Sequence, residues 1–160
     1  MDIALIFLVI LGLLFVVAYV TKRRFGVLGL ALAAGSMLSG LWAAKLTPLV
    51  RDAGLVVDNP PLITIVSVTL VLLPALVLLF SGPSYQDIPR RIIGALLFAS
   101  LAFALVIEPL GSALVLQGQG KQLYDFFVEN QVYIVTAGLI IAVVDLLMTH
   151  TSRKHKDSKH

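Results

Sequence analysis

The chain has 160 residues, of which 59% are hydrophobic and 13% charged, and it carries a formal net charge of +3. A mean hydropathy of +0.99 leaves more apolar surface than one soluble core of this size can hide, so composition excludes a water-soluble domain and makes lipid the expected solvent. The absence of cysteine excludes disulfides, thiolate metal sites and cysteine nucleophiles. No cofactor, metal site or nucleic-acid partner is expected, because the cations stand at the edges of apolar blocks and in the last residues.

Five apolar blocks follow one another, each near the roughly 17–25 residues that cross a hydrocarbon core. They predict an all-α polytopic bundle, a single helical domain over residues 1–150 with spans near 3–20, 27–44, 62–81, 92–115 and 132–149, followed by a basic tail at 151–160. The first block, Ile3 to Val20, follows Asp2 and precedes Lys22, Arg23 and Arg24, which marks a retained anchor rather than a cleaved signal.

The second block, Val27 to Ala44, carries Gly29, Ala33, Ser36 and Gly40 at i, i+4, i+7 and i+11. Small residues at this spacing draw a stripe along which another backbone can come close, whether the first or fourth span or a second copy of the chain. Trp42 reads as an interfacial anchor. In the joint from Leu46 to Pro61, the residues Leu46, Leu49, Val50, Ala53 and Val57 share one face. That pattern predicts a separate interfacial helix, ended by Pro60 and Pro61.

The third block, Leu62 to Ser81, contains Pro74, which removes the hydrogen bond to the Leu70 carbonyl and predicts a kink, with Thr69 or Ser67 available to freed carbonyls. The fourth begins at Ile92, after "GPSYQDIPRR". Glu108 stands about 24 Å along it at helical rise, near the outer rim of a layer roughly 30 Å thick. Beside Pro109, it reads first as a helix exit or bend.

A second outer amphipathic segment, "KQLYDFFVENQ", has Leu123, Phe126 and Phe127 as its apolar face. The fifth block, Val132 to Thr149, contains Asp145, about 6 Å from the inner end at helical rise and within reach of Arg90, Arg91 or the Lys22 to Arg24 group, or of the local Thr149 and His150. Glu108 and Asp145 are the candidate in-membrane ionisable residues. Separated vertically by about 18 Å, they do not form a carboxylate pair, and no ionisable residue sits at mid-depth, where secondary transporters hold their cargo. His150, His155 and His160 recur at an interval that matches no metal-ligand spacing.

Counting Lys and Arg on alternate sides of the five spans puts nine on the side of Lys22, Arg90 and the tail, and three (Lys45, Arg51 and Lys121) on the other. Short basic joints stay in the cytoplasm, so the N-terminus is expected outside and the C-terminus inside.

In order of features the chain resembles the colicin V production protein family of small bacterial inner-membrane proteins. The resemblance rests on "KRRFG" at 22–26, the small-residue span and amphipathic stretch through 57, and "RRIIGALLFAS" at 90–100 with Arg91 and Gly94. The fifth span is an addition to the family's basic pattern. The resemblance implies a multi-pass inner-membrane protein connected with toxin production or export and envelope homeostasis, with no catalytic residues to carry over.

No phosphate loop, nucleophile elbow or zinc-protease motif is present in the sequence. The expectation is a non-enzymatic scaffold or accessory protein acting by helix packing through Gly29, Ala33, Ser36 and Gly40. Its partners would be the lipid bilayer and either another membrane protein or a second copy. The alternative is a small transporter or channel in which Glu108 or Asp145 titrates.

Overall fold

The computed structural model describes residues 3–55, 57, 60–80, 84–85, 87–111 and 118–157. Six helices follow in order: α1 (Ile3–Thr21), α2 (Phe25–Asp52), α3 (Leu62–Phe80), α4 (Ile88–Gly111), α5 (Gly118–Glu129) and α6 (Gln131–Asp157). The architecture is all-α. Four helices (α2, α3, α4 and α6) are long and apolar enough to cross a membrane, and α1 is a shorter apolar helix over Leu5–Thr21. Large apolar side chains such as Leu8, Met37, Val77 and Phe80 point outward and stay exposed, as in a bundle whose solvent is hydrocarbon.

The centre of the bundle is α4, whose residues from Phe98 to Ile107 are almost all buried. Around it, Leu14 and Ala18 of α1, Leu28 and Leu32 of α2, Val71 and Ala75 of α3, and Ala142 of α6 close one core. A second cluster joins Phe7, Phe103 and Ile107. Phe103 meets Phe7 edge-on at 5.6 Å and Phe127 of α5 at 4.7 Å, so α5 lies as a cap across the ends of α1 and α4.

Helix α2 leans on two partners in turn. Near its start a Cβ placed on Gly26 would come within 2.6 Å of the Ala142 carbonyl, and one on Gly29 within 2.9 Å of the Ala142 Cβ, both in α6. Further on, a Cβ on Gly35 would collide with the Val71 carbonyl and come within 2.8 Å of the Leu70 carbonyl, both in α3. Gly35 lies six residues beyond Gly29, about 240° around the helix, so the two close approaches use different faces. Toward its far end α2 stays with α3, where Ala43, Leu62 and Val66 form a third cluster flanked by Leu46 and Val50.

Several elements differ from expectation, each for a local reason. The amphipathic joint does not begin a new helix at Leu46. Helix α2 continues unbroken to Asp52 with Pro48 inside it, because Leu46 and Val50 are held against α3 and nothing between Ala44 and Leu46 breaks the helix. The turn comes at Gly54, whose φ of +95° suits glycine. In α5 the inward face is Leu123, Tyr124 and Phe127, while Phe126 is exposed. Helix α4 starts at Ile88, four residues before Ile92, because Pro89 falls in the first turn, where its missing N–H is no loss. It ends two residues after Pro109.

Thr69 does not serve the carbonyl that Pro74 frees; its hydroxyl donates to the Ile65 carbonyl at 2.7 Å. The freed Leu70 carbonyl instead faces the bare backbone at Gly35. The stretch expected as a tail is helical through Asp157, as a sequence without Gly or Pro from Thr149 onward permits. Asp2, Asp58, Ser81, residues 112–115 of the fourth block, and His160 lie outside the described residues.

Candidate functional site

Because α2 leaves α6 to follow α3, a wedge opens between the α2–α3 pair and the α4–α6 pair. It forms a cleft of about 460 Å³, with Ser36, Ser39 and Gly40 of α2, Thr64 and Ser67 of α3, Glu108 of α4 and Gln131 of α6 among its walls. The far side is fixed by a hydrogen bond in which the Gln131 amide donates to the Ala104 carbonyl at 3.0 Å. That bond lies one residue from Leu105, whose carbonyl loses its helical partner to Pro109. Hydroxyls, an amide and a carboxylate on otherwise apolar helices make this a polar recess at the end of the bundle away from Lys22 and Arg24.

The small-residue stripe divides across this geometry. Gly29 is buried against α6, whereas a Cβ on Gly40 would meet nothing within 4 Å. Ser36 lines the cleft and turns its hydroxyl to the Ala33 carbonyl at 2.8 Å. The inner end of the stripe is filled by the chain itself, by α6 rather than α1 or α4, and the outer end faces open space. Glu108 is exposed and stands in this same cleft, beside Gly40 and Gln131.

Asp145 belongs to the opposite end, in a separate cavity. Its Oδ2 accepts from the Gly26 N–H at 2.9 Å and from the Tyr85 hydroxyl at 3.2 Å. The same hydroxyl accepts from the Phe25 N–H at 3.1 Å. The first two N–H groups of α2 are thus capped by side chains from distant parts of the chain, where the local N-cap residue, Arg24, supplies no side-chain capping hydrogen bond. A carboxylate at this position also complements the positive end of the helix dipole. A helix N-terminus and a tyrosine thus hold the Oδ2 of Asp145, partners that the sequence reading did not include.

Tyr85, for which no role was expected, brings the parts of this end together. Burial raises its pKa above the ordinary tyrosine value, with the Phe25 N–H acting against that shift and the nearby charge of Asp145 adding to it. Its backbone N–H donates to the Lys22 carbonyl at 2.7 Å, and Arg23 pairs with Ser84 in an isolated antiparallel bridge. Lys22 takes a left-handed φ of 57° where the chain reverses between α1 and α2. No spacing rule links residues 22, 26, 85 and 145, so only the fold could have found this cluster.

Two arginines at this end close helix C-termini. Arg23 donates from Nε to the Leu79 carbonyl at 2.8 Å and from Nη2 to the Phe80 carbonyl at 3.0 Å, finishing α3. Arg91 donates from Nε to the Tyr19 carbonyl at 2.5 Å and lies 3.8 Å above the Tyr19 ring, finishing α1. These residues are therefore helix-capping groups.

Compared with protein-family models, curated proteins and solved structures, the chain matches none.

Proposed function

We propose that the chain is a scaffold or accessory protein of the bacterial inner membrane that works by receiving a membrane segment of a partner, or of a second copy, in the outer cleft, and not by catalysis. On this reading α1 is the fifth span, the N-terminus is outside, and the end bearing Lys22, Arg23, Arg24, Arg90 and Arg91 is cytoplasmic, which the distribution of cations supports. The resemblance to colicin V production proteins would place it in toxin production or export and envelope homeostasis.

The carrying observation is the contrast along α2. Its inner glycines are packed against α6 and α3, while Gly40 looks into the cleft with no neighbour within 4 Å of a Cβ. Small residues with nothing upon them are what a docking helix needs. The chain contains no cysteine, so Gly40→Cys gives a single reactive position. In native membranes it should form a discrete crosslinked species absent from Val77→Cys, which sits on the outer surface of α3. Equal, diffuse crosslinking from both positions would remove the cleft from consideration.

A second reading, solute or proton passage, is favoured by Glu108 and Gln131 in the same cleft. Its test is flux in proteoliposomes, where Glu108→Gln should lower transport. Flux unchanged from the parent chain dismisses that reading without touching the first.

A further inference from the structure

We propose that the cavity at the basic end holds the headgroup of one anionic glycerophospholipid. This inference rests on the membrane reading of the bundle but not on the cleft. The cavity measures about 340 Å³ and is lined by Arg24, Arg90 and Tyr85 together with apolar residues that include Ile93, Ile141 and Met148. Those three apolar residues are 59%, 40% and 66% exposed, so the apolar wall runs out of the recess onto the outer surface of the bundle. A cavity that is cationic at its polar side and continuous with hydrocarbon-facing surface has the two-part character of a phospholipid.

The charges around the recess favour an anion. Arg24 lies 5.7 Å over the ring of Tyr85, which fixes that guanidinium at the cavity wall. Arg90 has an ion pair with Asp87 at 3.6 Å, and both side chains are largely exposed, at 70% and 65%. A pair so exposed contributes little and exchanges readily for a better acceptor. Asp145 also lines the cavity, but its Oδ2 is directed at the Gly26 N–H and the Tyr85 hydroxyl. Two guanidiniums, Arg24 and Arg90, thus stand in the wall beside the carboxylate of Asp145, while Asp87 pairs Arg90 from outside it. Arg23 and Arg91, by contrast, direct donors to main-chain carbonyls and line no part of it.

A phosphodiester offers the planar pair of oxygens that guanidinium recognises. Free phosphate shares that chemistry, but it would leave the apolar wall uncovered. The cavity also lies where the α2 and α4 helices begin, the depth at which headgroups meet a spanning bundle.

The test uses the full chain in neutral detergent, with phosphatidylglycerol, phosphatidylcholine and inorganic phosphate as separate probes, read by native mass spectrometry and thermal unfolding. Phosphatidylglycerol should be retained at one per chain and raise the unfolding temperature, while the other two leave it unmoved. Arg24→Gln with Arg90→Gln should weaken that retention by about tenfold or more, the effect of losing charge-assisted contacts, and Arg51→Gln at the other end should not. Should the double variant fail to fold, Arg90→Gln alone, at an exposed position, should still lower retention.

Equal retention by the arginine variants overturns the proposal, as does equal stabilisation by phosphatidylcholine. A matching shift with inorganic phosphate overturns the lipid assignment in favour of a free-anion site. Because Gly40→Cys crosslinking reads the other end of the bundle, loss of the lipid result and loss of the cleft result are separable.

Discussion

The Oδ2 of Asp145 accepts a 2.9 Å hydrogen bond from the backbone N–H of Gly26, across 119 residues of sequence. Through it α6 caps the start of α2, and the approach is so close that a Cβ on Gly26 would lie 2.9 Å from the same oxygen. Asp145→Ala deprives the Gly26 N–H and the Tyr85 hydroxyl of their shared acceptor. The expected loss is about 1–3 kcal/mol, the range for leaving buried donors unsatisfied. Asp145→Asn keeps one acceptor and should lose less. Thermal unfolding in detergent orders the three proteins, and an alanine variant as stable as the parent would show that the cap contributes nothing.

Tyr85 makes this cluster sensitive to alkali. Its pKa is raised, first by burial, so the unfolded chain releases the phenolic proton before the folded one does. The stabilisation is fully present below the ordinary tyrosine pKa near 10, and it is lost as pH rises through the higher folded value. The parent chain should lose stability between these values more steeply than Tyr85→Phe. Phenolate absorbance should show one tyrosine titrating late in the parent and not in the variant. Parallel pH profiles for the two proteins would count against the burial argument.

Much of the helical framework is legible in the sequence because apolar length is a strong signal, and α1 and α3 begin and end within a residue or two of the expected blocks. The α2 extension is not legible, because Leu46 and Val50 look amphipathic whether their apolar face meets lipid or α3. The stripe is half legible: its period is correct for one face, and Gly29 and Gly40 do share it, but the sequence cannot say that α6 follows that face only as far as the inner end. Gly35, on another face, carries the tightest approach to α3 and belongs to no regular pattern. Glu108 was readable as a residue near the end of its helix. Its company of Ser36, Thr64, Ser67 and Gln131 comes from three other helices and has no sequence signature.

Arg23 and Arg91 allow capping to be separated from topology. Arg23→Lys and Arg91→Lys preserve the positive charge that biases orientation, but a lysine ammonium lacks the planar donor array that reaches two carbonyls or stacks on a ring. Each variant should insert in the parental orientation and lose about 1 kcal/mol of stability, a typical net value for one hydrogen bond. Accessibility labelling reads the first property and thermal unfolding the second. Stability equal to the parent in both variants would reduce the two arginines to topology signals.

Gly35 and Gly40 provide the sharpest internal contrast, since both are glycines of α2 and bulky substitution should affect them in opposite ways. At Gly35 the neighbours of an added Cβ are the backbone carbonyls of Val71 and Leu70, which cannot withdraw without separating α2 from α3. The Leu70 carbonyl is also the one that Pro74 leaves without a helical donor, so the α2 backbone covers a weak point in α3. Gly35→Ala should therefore destabilise the fold by about 1–3 kcal/mol, as overpacking does, and Gly35→Leu should abolish detergent-stable protein. At Gly40 an added side chain enters open cleft, so Gly40→Leu should preserve yield and unfolding temperature while changing oligomer size or partner crosslinking. The regular stripe by itself does not separate fold from assembly; the space at Gly40 makes assembly the property at stake there. Size-exclusion chromatography beside thermal unfolding distinguishes the two effects. If Gly40→Leu unfolds the chain while Gly35→Leu is tolerated, the path of α2 between its two partners is the reverse of the one described.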